Sequence, residues 1–74
     1  MIFGNNALFS STIGIGNSAF GNQSLYSNTG NYNSGFGEFT LKSNTTGNNN
    51  VAVGANSLEN NTTGSFNTSI GRNA

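Results

Sequence analysis

The chain repeats itself every 16 or 17 residues, and this period constrains its fold more than any other feature. Gly4, Gly21, Gly37, Gly54 and Gly71 are separated by 17, 16, 17 and 17 residues, and Leu8, Leu25, Leu41 and Leu58 by 17, 16 and 17. Gly14, Gly30, Gly47 and Gly64 keep step, as do Asn17, Asn33, Asn50 and Asn67. Four positions sharing one period divide the chain into units 1–17, 18–33, 34–50 and 51–67 and a truncated unit 68–74. The second unit is one residue short between Asn28 and Gly30, where a loop absorbs a change of length that a strand would not. A short fixed period is the signature of stacked repeats, and it changes the meaning of every residue in the chain.

Inside each unit the residue before the first glycine is large and apolar: Phe3, Phe20, Phe36, Val53 and Ile70. Leucine follows four residues after that glycine, and small or polar residues fill the gaps. The pattern predicts two very short, half-buried strands per unit and no helix. Glycine permits positive φ at a tight corner, and asparagine tolerates the left-handed region while its amide bonds nearby backbone. One corner is expected at the first glycine and another near the Asn-Thr-Thr-Gly stretch. A chain that turns twice per 17 residues and returns its Phe and Leu to the same place is a coil of a parallel β-solenoid, here of about four and a half coils. Coils spaced about 4.8 Å apart then stack the Phe/Val/Ile column and the Leu column into a core. The recurrent Asn17, Asn33, Asn50 and Asn67 are expected to form an internal amide ladder.

The positions that vary between units are expected to face outward: Phe9, Tyr26, Lys42 and Glu59 after each leucine, and Gly16, Tyr32, Asn49 and Phe66 before each ladder asparagine. Tyr26, Tyr32 and Phe66 are open to reading as sugar-stacking platforms, although isolated exposed aromatics are ordinary. Ala19, Gly35, Ala52 and Ser69 form a stripe of small residues on the opposite face of the first strand. Small side chains in register let another backbone approach closely, which makes this stripe the candidate interface between subunits or sheets. A tightly packed inner wall within one chain is the alternative.

With 74 residues there is one domain at most, and so short a chain buries too little surface to be robust alone. It has no Cys and no His, so neither a disulfide nor a histidine-held metal supports it, and self-association is the support left. Only Glu38, Lys42, Glu59 and Arg72 are charged, and they cancel, which argues against nucleic acid as a partner. No run approaches the roughly 18 apolar residues of a membrane helix, and MIFGNNALF lacks the basic and apolar regions of a signal peptide. Catalysis is not expected: there is no Asp, His or Cys, the two glutamates occupy non-equivalent positions of their units, and the serines have no base. No metal or cofactor is expected either. The glycines match no phosphate-binding signature, so they read as corners. Sequons at Asn22, Asn44, Asn60, Asn61 and Asn67 follow from composition alone. High Asn, Gly, Ser and Thr with few charges also fits a disordered segment, but the regular apolar spacing argues against it.

At NSAFGNQS, NSGFGEFT, NVAVGANS and NTSIGRNA the unit resembles the head repeat of the trimeric autotransporter adhesins, the YadA-like head, whose motif runs N-S-V-A-I-G-x-x-S. Asn17, Gly21 and Ser24 in one copy, and Asn50, Val53, Gly54 and Ser57 in another, fall on motif positions. The resemblance covers nearly the whole chain, and it implies a left-handed parallel β-roll that forms homotrimers. The N-T-T-G-N-N-N insertion is also similar to the Asn/Thr/Gly-rich repeats of phage and viral tail fibres. The chain departs from the bacterial head in that longer loop and in Phe20 and Phe36, and it lacks neck, stalk and anchor.

The leading expectation is a structural protein: a segment of a rigid homotrimeric fibre outside a cell or on a virion surface, whose main partner is itself. A surface-binding module that recognises a cell-surface receptor, glycan or host matrix is the second reading. The absence of a polar cap at either end suggests end-to-end stacking into a filament, or neighbouring segments that supply the caps. An ice-binding solenoid is the third reading. It is weakened because Thr45-Thr46 and Thr62-Thr63 are adjacent pairs, which face opposite sides of a strand.

Overall fold

A computed structural model describes residues 2–9 and 14–74. The second corner of the first unit, at residues 10–13, lies outside the described residues. The described chain is all-β, with one sheet of five parallel strands and no helix. The strands are β1 (Ile2–Phe3), β2 (Ser18–Phe20), β3 (Ser34–Phe36), β4 (Val51–Val53) and β5 (Thr68–Ile70), and they lie side by side in sequence order. Register follows the sequence period: Phe20 pairs with Phe36, Phe36 with Val53, and Val53 with Ile70.

Each unit contributes one strand, where the sequence pattern had suggested two. The stretch after the first glycine, which carries the leucine, alternates instead between left-handed and right-handed backbone. Gln23 and Leu25 have φ of 57° and 53°, and Phe39 and Leu41 have 60° and 49°. In the second unit the two left-handed residues direct their N–H groups to opposite neighbours, while the N–H between them, that of Ser24, bonds back to Gly21 O in its own unit. Gln23 N–H donates to the Asn5 carbonyl of the preceding unit, and Leu25 N–H to the Thr40 carbonyl of the following one. The second wall is therefore hydrogen-bonded between units like a sheet without being extended, because left-handed residues shorten the rise per residue.

The corner glycines permit this turn. Gly21 has φ of +132°, and a β-carbon there would stand 2.6 Å from the carbonyl carbon and oxygen of Gly37 in the next unit. No side chain fits between successive corners at that separation, so glycine recurs wherever the strand gives way to the second wall.

The core is thin. Leu25, Leu41, Ala19 and Ala52 are wholly buried, Ala7 nearly so, and Leu8 and Leu58 pack against them half-buried. Burying each leucine fully contributes about 1.5–3 kcal/mol. The expectation that the Phe/Val/Ile column joins this core is corrected: Phe3 is 71% exposed, Phe36 42% and Ile70 73%, while Phe20 and Val53 are half-buried. The reason lies in strand alternation. Residues one and three of a three-residue strand share a face, and residue two occupies the other. Leucine from the second wall fills the space between the walls, so the strand can offer it only a small residue. The stripe of Ala19, Gly35, Ala52 and Ser69 consequently faces inward, and its reading as a subunit interface is corrected as well.

Candidate functional site

The described chain has a partly open, mostly polar hollow at its last units, lined by Asn56, Leu58, Glu59, Asn61, Asn73 and Ala74. Its organised features are columns, each made of one residue per unit, some sealed inside and some open to solvent.

Two of the inner columns are amide ladders. In the first, the Asn17 side-chain oxygen accepts the backbone N–H of Asn33 at 2.8 Å, that of Asn33 accepts Asn50 N–H at 3.0 Å, and that of Asn50 accepts Asn67 N–H at 3.0 Å. Asn50 Nδ2 also donates to Asn33 Oδ1 at 3.1 Å. The second ladder comprises Asn28, Asn44 and Asn61, with Asn44 Nδ2 donating to Asn28 Oδ1 at 2.6 Å and Asn61 Nδ2 to Asn44 Oδ1 at 2.9 Å. Both ladders converge on the glycine carbonyls of the second corner. Gly47 O accepts from Asn33 Nδ2 at 2.8 Å and Asn44 Nδ2 at 3.1 Å, and Gly64 O likewise from Asn50 and Asn61. A carbonyl has two lone pairs, and each of these uses both. Asn28, Asn33, Asn44 and Asn50 are wholly buried, so these bonds offset a desolvation cost that would otherwise be large.

A third inner column carries hydroxyls. Ser24 Oγ and Thr40 Oγ1 lie 2.6 Å apart, and Ser24 and Ser57 donate across the interior to the carbonyls of Gly35 and Ser69. Gly35 stands where neighbouring units have alanine because a β-carbon there would meet Thr40 Oγ1 at 2.5 Å and Ser24 Oγ at 2.6 Å. The two hydroxyl oxygens occupy that space.

Outside, the strand face presents the apolar column. Phe3, Phe20 and Phe36 stack ring on ring, with centroids 6.2 Å apart for the first pair and 4.8 Å for the second, and Val53 and Ile70 continue the line. Phe9 and Tyr26 form a second stack on the other wall, at 5.1 Å. Three of the four charged groups meet local partners. Lys42 Nζ sits 5.0 Å over the Phe39 ring, Glu59 accepts from Asn56 Nδ2 at 2.8 Å, and Glu38 from Asn22 Nδ2 at 3.4 Å. Among the described residues no group of three or more His, Cys, Asp or Glu side chains comes together. A further outer column is Gly16, Tyr32, Asn49 and Phe66, with Tyr32 and Phe66 55% and 81% exposed.

The structure thus places Asn17, Asn33, Asn50 and Asn67 together as one ladder, brings the leucines together inside and the Phe/Val/Ile column together outside. The Asn28/Asn44/Asn61 ladder and the Ser24/Thr40/Ser57 column were missed by sequence reasoning. Both carry the spacing of 16 and 17 residues, so the signal was present in the same period that revealed the other columns. Three of the five sequons contribute ladder residues, Asn44, Asn61 and Asn67: the side-chain amides of Asn44 and Asn61 are engaged in the ladder, and Asn67 joins it through its backbone N–H.

Comparison with protein-family models, with curated proteins and with solved structures finds no match to this chain.

Proposed function

We propose that the chain is a structural segment of a rigid fibre, a left-handed parallel β-solenoid whose units continue along the fibre axis and whose chains associate side by side as a homotrimer outside a cell or on a virion surface. The observation that carries this reading is the apolar column on the strand face: Phe3, Phe20, Phe36, Val53 and Ile70 in register on one sheet, with Phe3, Phe36 and Ile70 exposed and Phe20 and Val53 half-buried in the single chain. An apolar stripe repeating at the strand spacing of about 4.8 Å is best covered by a surface of the same period, and another copy of the chain supplies one. The three-fold number and the handedness rest on the resemblance to the adhesin head repeat.

Stiffness is the property such a segment would contribute. Backbone ladders run along the axis on both walls, and buried side-chain ladders parallel them, so bending would stretch many bonds at once. Side-by-side association would add the apolar burial that a chain of this length lacks.

Light scattering at several concentrations tests the reading. The expected result is a constant mass of three chains that falls to one in the double variant Phe20→Ser, Phe36→Ser. A folded wild-type monomer at every concentration would sink it, and a mass climbing without limit would replace the closed trimer with an open filament.

A further inference from the structure

Twelve non-glycine residues among those described have left-handed φ. Five are Asn or Gln: Asn6, Gln23, Asn49, Asn56 and Asn73. Asparagine, which accounts for four of them, visits that region at low cost. The four leucines offset their strain by packing in or against the core, and Phe39 has the Lys42 ammonium over its ring. Apart from the half-buried Gln23, Tyr32 at φ 58° and Phe66 at φ 61° remain. Both are large, strained and open to solvent, and they occupy a column where Gly16 and Asn49 adopt the same backbone at lower cost. The Tyr32 ring reaches across Gly16, whereas Phe66 has no ring partner among the described residues. Folding does not account for the Phe66 ring, and unexplained strain of this kind points to a task at the surface.

The adjoining column supplies polar groups in fixed orientation. Asn31 Oδ1 accepts the Ile15 N–H at 3.0 Å, and Asn48 Oδ1 accepts the Asn31 N–H at 2.8 Å. Each amide is therefore pinned by its oxygen, and each Nδ2 donates to nothing among the described residues. The Asn49 amide is free in the same sense. The backbone offers no competing edge here, because the N–H groups of Tyr32, Asn49 and Phe66 are bonded to Ile15, Asn31 and Asn48 carbonyls. Neither column contains a charged residue.

We propose that this ridge, two residues ahead of each strand, binds a neutral glycan. Tyr32 and Phe66 stack on the apolar faces of two pyranose rings, and the amides of Asn31, Asn48 and Asn49 bond the hydroxyls between them. The two aromatic positions are two strand spacings apart, about 10 Å, a separation comparable with the length of one disaccharide. Aromatic rings suit the C–H faces of sugars, orientated amide donors suit hydroxyls, and a column without charge suits a ligand without charge. The occupied backbone disfavours an extended peptide, which would need a free edge. The ridge is separate from the Phe20 column, so the proposal does not depend on how chains associate.

The test is an array of neutral and acidic glycans probed with the whole chain, followed by an NMR titration with the best neutral ligand. Saturable binding is expected, with shifts concentrated on the amides of Tyr32, Asn49 and Phe66 and on the side-chain NH₂ groups of Asn31 and Asn48. Phe66→Asn should weaken binding about tenfold, the scale of one lost ring contact, and Phe66→Tyr should retain it. Phe66→Asn should also melt at or above the wild-type temperature, since Asn49 already occupies an equivalent position. No binding across the array, binding confined to acidic glycans, or undiminished binding by the double variant Tyr32→Asn, Phe66→Asn would each overturn the proposal.

Discussion

The leucine column and the phenylalanine column have the same period and similar hydrophobicity, yet one is the core of the chain and the other is its outer face. Leu25 and Leu41 are wholly buried, while Phe36, paired in register with its neighbours just as closely, is 42% exposed. The difference comes from backbone geometry. Leu41 sits on a wall whose left-handed φ of 49° turns it inward, and Phe36 is the third residue of a strand whose second residue already faces inward. Apolar character in a repeat therefore marks positions that stack, and does not by itself say on which side they stack.

The contrast can be broken first at the corner that sets both columns. Gly21→Val would drive a branched side chain into Gly37 and force a φ of +132° on a β-branched residue, costing about 3–6 kcal/mol from strain and overpacking together. Loss of the cooperative urea transition is the expected result.

Truncating the columns themselves comes next. Leu41→Ala should destabilise by about 2–5 kcal/mol, because a wholly buried side chain leaves a cavity between two hydrogen-bonded walls that cannot collapse. Removing a ladder asparagine should fall in a similar range: Asn44→Ala deletes bonds to Asn28, Gly47 and Asn61 at the centre of the stack, for about 2–4 kcal/mol. Urea unfolding of both variants checks this, and an Asn44→Ala effect under about 1 kcal/mol would show that water replaces the ladder.

A double-mutant cycle sharpens the account of the small-residue stripe. Gly35→Ala alone should cost about 1–3 kcal/mol, because its new methyl meets the Ser24 and Thr40 hydroxyls. Thr40→Ala should relieve part of that, since it removes the Oγ1 that the new methyl would meet at 2.5 Å. A coupling energy near zero would mean that the hydroxyl pair does not fill the space. The smallest effect is expected from Phe36→Ala in the isolated chain, about 0.5–1.5 kcal/mol for a lost ring stack. Its larger consequence should be a drop in associated mass.

How far the sequence reached can be judged residue by residue. The corner glycines were legible because only glycine fits, and a period of glycines leaves few other readings. The Asn17 ladder was legible because an amide recurring at a turn has few partners besides its own repeat. The left-handed conformation of Leu25 was not legible, since leucine has no preference for positive φ, and only the packing around it holds it there. The inward turn of Ala19 was not legible either. A small residue next to a large apolar one suits a narrow interior and a close external contact equally well, and the pattern left both readings open.

By itself, then, the sequence determined the period, the corners, the all-β class and the parallel order of the strands, because each follows from local conformational limits repeated at a fixed interval. Only the tertiary structure decided which column is inside. That choice depends on the gap between the two walls, which leucine fills from one side and which, in the three middle units, holds only Ala19, Gly35 and Ala52 on the other.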